Sequence, residues 1–182
     1  MARIPFIIER SQVAAEHQAK FDAIAASRGR VGGPFQVLLH SPKVAERTAH
    51  LGAYLRFESP LPEDLRELAT LYMARESNCQ YEFAAHAPQA REAGVSEAVI
   101  QAIIAGRMPD GLTPEQTTVL NYAQELSRSH RVSDATFQSA LSLFGIEGLT
   151  EFTALLGYYA MLAFTLNAFD VPPVGTPPPL PE

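Results

Sequence analysis

Tryptophan is absent from this chain of 182 residues, and cysteine occurs once, at Cys79. One cysteine excludes an internal disulfide, so the fold has to hold by packing, and a reducing compartment, the cytoplasm, is expected. Positive charge is also scarce: 14 Lys and Arg against 20 Asp and Glu give a net charge of −6 and a pI near 5.4. Phosphate backbones are held by clustered cations, and these are scattered, so no nucleic-acid partner is expected. The first residues lack the features of a signal peptide, because Glu9 and Arg10 cut the apolar run short. Almost nothing alternates like a β-strand. No glycine-rich phosphate loop follows a strand, since Gly29 to Gly33 close a helical pattern. His17, His40, His50 and His130 fall in no ligand spacing, and no Ser/His/Asp motif stands out, so neither a metal nor another cofactor is expected.

What is present is the composition of a globular protein, 47% hydrophobic and 19% charged. The punctuation predicts an all-α, single-domain helical bundle over residues 1–170, followed by a Pro-rich tail at 171–182. A polar, Ala-rich helix is predicted from Ser11 to about Arg28, stopped by Gly29. A short apolar turn follows at 35–40, and then a helix from Ser41-Pro42 to about Phe57. After the Ser59-Pro60-Leu61-Pro62 loop, Glu63 to Glu76 reads as a helix with Leu65, Leu68, Leu71 and Tyr72 on its apolar side. Capping boxes at Ser77-Asn78-Cys79-Gln80 and Thr113-Pro114-Glu115-Gln116 open helices to about Ala93 and His130. A shorter helix spans 96–105, another runs from Ser133 to Phe144, and a long one opens near Thr150. The uncharged stretch 152–169 is barely long enough to cross a bilayer and lacks basic flanks, so it is expected to be a buried helix, with no membrane partner. The tail is expected to be extended polyproline.

The chemistry concentrates between Glu67 and His86. Cys79, Glu82 and His86 are three and four residues apart, which puts all three on one helical face. With Ser77 as N-cap, Cys79 falls in the first turn, where backbone N–H groups and the helix dipole favour a thiolate. Each residue also has a plainer reading. A lone cysteine is usually a small buried filler, and Glu82 with His86 is an ordinary surface pair. Glu67 tips the balance: it lies one helix earlier among Leu65, Leu68 and Ala69, and an antiparallel neighbour would bring it to the same pocket. Cys79, Glu82 and His86 on one helix turn are not a standard zinc set.

Gly33-Pro34-Phe35, Leu38-Leu39-His40-Ser41-Pro42, Leu51-Gly52, Arg66-Glu67-Leu68, Asn78 to His86 and Ala90 to Ser96 together resemble the carboxymuconolactone decarboxylase family, most clearly over residues 30–125. The resemblance implies an all-helical fold of the alkylhydroperoxidase-D-like type, assembled into a homo-trimer or homo-hexamer in which neighbouring subunits complete the core. Interface burial would then account for the uncharged helix. In the peroxidase branch of that superfamily, a Cys-x-x-Cys-x-x-x-His motif with an upstream Glu performs thiol-disulfide chemistry. Cys79 falls on the first cysteine, Glu82 on the second, His86 on the histidine and Glu67 on the acid. The second thiol is missing, which rules out an intramolecular disulfide and leaves a one-cysteine cycle resolved by an external thiol. The decarboxylase branch lacks the cysteine pair and removes CO2 from a lactone acid without a cofactor. That branch is the expected one, acting on a small carboxylated lactone-type compound, with Glu67, Glu82 and His86 moving protons and Tyr81 a further hydrogen-bond donor to substrate. Peroxidase, antioxidant activity through Cys79 and a non-enzymatic assembly or binding protein are the alternatives.

Overall fold

The computed structural model describes residues 2–175, 177, 180 and 181. Every regular element among them is helical. The chain divides into two compact units, one of residues 1–59 and 164–172, the other of 60–163 and 173–182.

In the first unit, single 3-10 turns at Arg10–Gln12 and Ala15–His17 precede α1 (Gln18–Arg28), so the predicted first helix starts about two turns late. Gly29 ends it at φ 75°, a left-handed conformation that only glycine adopts without strain. α2 (Phe35–Leu38) is a single turn, and α3 (Pro42–Ala53) starts with proline at its first position, where no intrahelical N–H is needed. Its last stretch, Tyr54–Glu58, widens into a π-helix, so the helix predicted to Phe57 changes pitch rather than stopping. Phe21, Ile24, Phe35, Leu39, Ala45 and Ala49 form the core of this unit. Its polar closures lie at the edge: Arg28 donates to the Ala49 carbonyl at 2.9 Å and lies over the Phe35 ring.

The second unit is built around α4 (Glu63–Glu76), which packs against α5 (Gln80–Glu92), α6 (Glu97–Ile104) and α7 (Pro114–Ser129). The sequence predicts one apolar side for α4. The structure buries Ala69, Thr70, Met73 and Ala74 as well, because neighbours cover this helix on more than one side. That central position is what buries Glu67. Asp134–Ala168 is interrupted at Gly145, whose φ of 69° and ψ of 179° divide it into α8 (134–144) and α9 (146–168). Along α9, Leu149, Phe152, Leu155, Leu156, Tyr159, Leu162, Ala163 and Leu166 recur at helical spacing and are buried. The predicted buried helix therefore has one buried stripe. By length and composition Asp134–Ala168 could cross a membrane, yet 56% of its apolar window is buried within the protein. In the tail, the Leu180 N–H donates to Gln80 Oε1 at 2.7 Å and the Pro181 carbonyl accepts from Arg75 Nη2 at 3.0 Å. The polyproline expectation falls partly on Thr176, Pro178, Pro179 and Glu182, which lie outside the described residues.

Candidate active site

α4 ends through three backbone bonds, Ser77 N–H to the Met73 carbonyl, Asn78 to Arg75 and Cys79 to Ala74. Asn78 takes φ 46°, the left-handed turn that reverses the chain. Ser77 is thus the C-cap of α4, and Cys79 is the N-cap of α5. Ser77 is therefore not the N-cap that the sequence predicts, because it closes α4 and leaves Cys79 to open α5. α5 begins at Gln80, two residues after the reversal at Asn78, and lies beside α4. This arrangement brings Glu67 to His86.

His86 Nδ1–H donates to Glu67 Oε2 at 2.7 Å, and His86 Nε2 lies 3.4 Å from Glu82 Oε2, one turn back on its own helix. All three side chains are buried. The Tyr159 ring of α9 meets the imidazole edge-on, with centroids 5.0 Å apart and planes at 85°, and Tyr158 packs on Tyr159 in the same way. Burial opposes charge on His86. The hydrogen bonds and negative charge of Glu67 and Glu82 outweigh it, and the imidazolium is held above the ordinary histidine range. The short Nδ1 contact fixes the ring and its tautomer. The longer Nε2 contact leaves that nitrogen as the one able to exchange a proton.

Cys79 is fully buried at the start of the same helix. Burial pushes its thiol up from 9.0 to about 11, against backbone hydrogen bonds from Glu82 and Tyr81 and with the Glu82 charge adding to the rise. The sequence expectation of a favoured thiolate is therefore reversed. Helix-terminal N–H groups do address the sulfur, but desolvation is the larger effect. Tyr81 sits half-buried in the first turn of α5.

Two neighbours of the cluster escaped the sequence reading. Tyr159 is separated from His86 by most of the second unit and belongs to a helix read as apolar filling, so no spacing connects them. Arg66 stands in the Arg66-Glu67-Leu68 segment of the resemblance, but nothing in the sequence marks its burial beside Glu67. Its side chain is 11% exposed, with Nε 3.8 Å from Glu67 Oε1. Among the described residues, no three His, Cys, Asp or Glu side chains are arranged to hold a metal ion.

Residues 42–125, which include the whole cluster except Tyr159, match the carboxymuconolactone decarboxylase family. Two solved structures share the fold. An alkylhydroperoxidase AhpD core from Ralstonia eutropha JMP134, an uncharacterized peroxidase-related protein, superposes with a TM-score of 0.74 at 19% identity, covering 94% of this chain and 92% of its own. A protein of unknown function from Agrobacterium tumefaciens, provisionally assigned as the antioxidant defence protein AhpD, gives 0.69 at 17% identity over 77% and 97%. At such identities the likeness speaks for the fold alone. No curated protein matches the sequence.

Proposed function

We propose that this chain is an enzyme of the carboxymuconolactone decarboxylase family, which residues 42–125 match, and that Glu67, His86 and Glu82 form its acid–base centre, decarboxylating a small carboxylated, lactone-type compound without a cofactor. The observation that carries this reading is an imidazole held at 2.7 Å and 3.4 Å between two buried carboxylates. Glu67 orients the ring, and Nε2 delivers the proton. In the reaction, the bond from carbon to carboxylate breaks, CO2 leaves, and the electron pair passes into the lactone as an enolate. The Nε2 proton then closes onto that carbon, and water restores the imidazolium. Glu82 receives or returns the proton between turnovers.

The test is CO2 release from a panel of unsaturated lactone acids. His86→Ala and Glu67→Gln should each lower turnover at least about 100-fold, the usual range for a positioned acid or base. Cys79→Ser should leave it nearly unchanged. Full turnover in His86→Ala would overturn the assignment.

A thiol-peroxidase reading has one observation in its favour, the Tyr81 and Glu82 backbone N–H groups at the Cys79 sulfur. In that reaction the thiolate takes an oxygen from a hydroperoxide, releasing an alcohol and leaving a sulfenic acid that an external thiol reduces. A fully buried thiol pushed up to about 11 is poorly suited to it. Peroxide consumption that disappears in Cys79→Ser would favour this reading over the first. Assembly into a homo-oligomer belongs to either reading, and the exposed Ile146 and Met161 on α9 offer an apolar face for it. Light scattering of the purified chain would test this.

A further inference from the structure

Arg66 stands beside the acid–base cluster without taking part in it. Its Nε is buried and has no hydrogen-bond acceptor. The guanidinium instead spans two carboxylates, Glu67 Oε1 at 3.8 Å from Nε and Glu63 Oε1 at 3.5 Å from Nη2. The Glu63 side chain is 70% exposed, whereas that of Glu67 is 3% exposed. A buried N–H without an acceptor is costly, so a fixed hydrogen bond does not explain this placement. Charge does. Arg66, Glu67, His86 and Glu82 alternate in sign along a continuous row, and with the imidazole protonated their formal charges cancel.

Once Nε2 gives up its proton, the row carries a net negative charge, and Arg66 is the cation facing Glu67. We infer that Arg66 is a positioning residue of the acid–base centre: its guanidinium balances the Glu67 carboxylate while His86 is neutral, with Nε–H closing onto Oε1 as the proton leaves. This rests on reading Glu67, His86 and Glu82 as that centre. The two carboxylates strengthen the imidazole's hold on its proton. A cation on the far side of Glu67 loosens it without touching the ring. The groups bearing on the imidazole are Glu67, with Arg66 and Glu63 behind it, from α4; Glu82 from α5; and Tyr159 from α9.

The experiment is an NMR titration of histidine-labelled protein, with the His86 resonances assigned through His86→Ala and folding followed by circular dichroism. Arg66→Gln should raise the midpoint of His86, binding the proton about tenfold more tightly, the size expected for loss of one nearby charge in a partly screened site. Arg66→Lys, which keeps the charge, should return most of the way. An unmoved midpoint in folded Arg66→Gln, or Arg66→Lys behaving like Arg66→Gln, would overturn the inference and leave Arg66 a helix staple to Glu63. Should Arg66→Gln fail to fold, Glu63→Gln carries the test. Releasing the guanidinium toward Glu67 should lower the midpoint, and no change would count against the inference. Failure of the acid–base reading itself would look different: the midpoint would still move with Arg66, but His86→Ala would turn over normally.

Discussion

Cys79 and His86 occupy the same helix, two turns apart, and are equally hidden from solvent. Burial acts on both in the same sense, against charge. The outcomes are opposite. The thiol is pushed up to about 11 and stays neutral, whereas the imidazole is held protonated. The difference lies in the partners. Cys79 has backbone N–H groups on one side and the Glu82 carboxylate on the other, and these partly cancel. His86 has carboxylates at both nitrogens. Sharing a helix face therefore does not give these residues one chemistry: the lower turn holds a neutral, buried thiol and the upper turn an imidazole paired to two carboxylates.

Removing the partner that separates the two should have the largest effect. Glu67→Ala leaves the imidazolium buried with only the longer Glu82 contact, and breaking a buried pair in this way costs about 3–5 kcal/mol. Urea unfolding near neutral pH would read it. A loss close to that of an ordinary surface substitution would erase the contrast, because His86 would then need no more support than Cys79 does.

The next test separates the two residues by pH. His86 has a folded-state pKa above its unfolded value of 6.5. Its contribution to stability is therefore complete below about 6.5 and is lost as pH rises through the folded value. Cys79 binds its proton more tightly when folded as well, but its window is higher, between 9.0 and about 11. Urea midpoints measured from pH 6 to 11 should fall in two stages. Glu67→Gln should flatten the first, and Cys79→Ala should shrink the second, to which Tyr72, pushed by burial from 10.0 to about 12, also contributes. A single stage shrunk by Cys79→Ala would mean that the imidazole carries no charge of its own.

The meeting of Glu67 with His86 was legible because both signals are local. Glu63 to Glu76 and the helix that follows are marked by periodicity and by Gly94, and a short connection makes neighbours antiparallel. The capping boxes show where such reading stops. Thr113 accepts from Gln116 N–H at 3.2 Å and the Gln116 side chain returns the bond, as the sequence indicates. Ser77 carries the same pattern, but only the tertiary course of the chain tells a residue that opens one helix from a residue that closes the last. Tyr159 and the burial of Arg66 were illegible for a related reason. Each depends on which helices surround α4, and no spacing within α4 records that. The thiol's elevation depends on burial in the same way, and the sequence reading gave the helix terminus a weight that desolvation removes.

The smallest effect sharpens the comparison from the thiol's side. Cys79 is the N-cap of α5, and its sulfur meets the Tyr81 and Glu82 N–H groups only as a weak acceptor, short of a full capping bond. Serine is among the best N-caps, and its oxygen accepts from the same backbone N–H groups that address the sulfur. Cys79→Ser replaces this weak contact with a full capping bond, worth up to about 0.5–2 kcal/mol. It also places a hydroxyl where a thiol was fully buried, a cost of about 1–3 kcal/mol unless that bond satisfies it. The two nearly cancel, so the urea midpoint should move by no more than about 1 kcal/mol in equivalent stability. The thiol's share of the high-pH stage should vanish, since the hydroxyl does not titrate, leaving the share of Tyr72. A loss well beyond that would show that the sulfur holds this turn together in a way its neutral, buried state does not suggest, and the thiol would then have to be counted with the imidazole as part of one site.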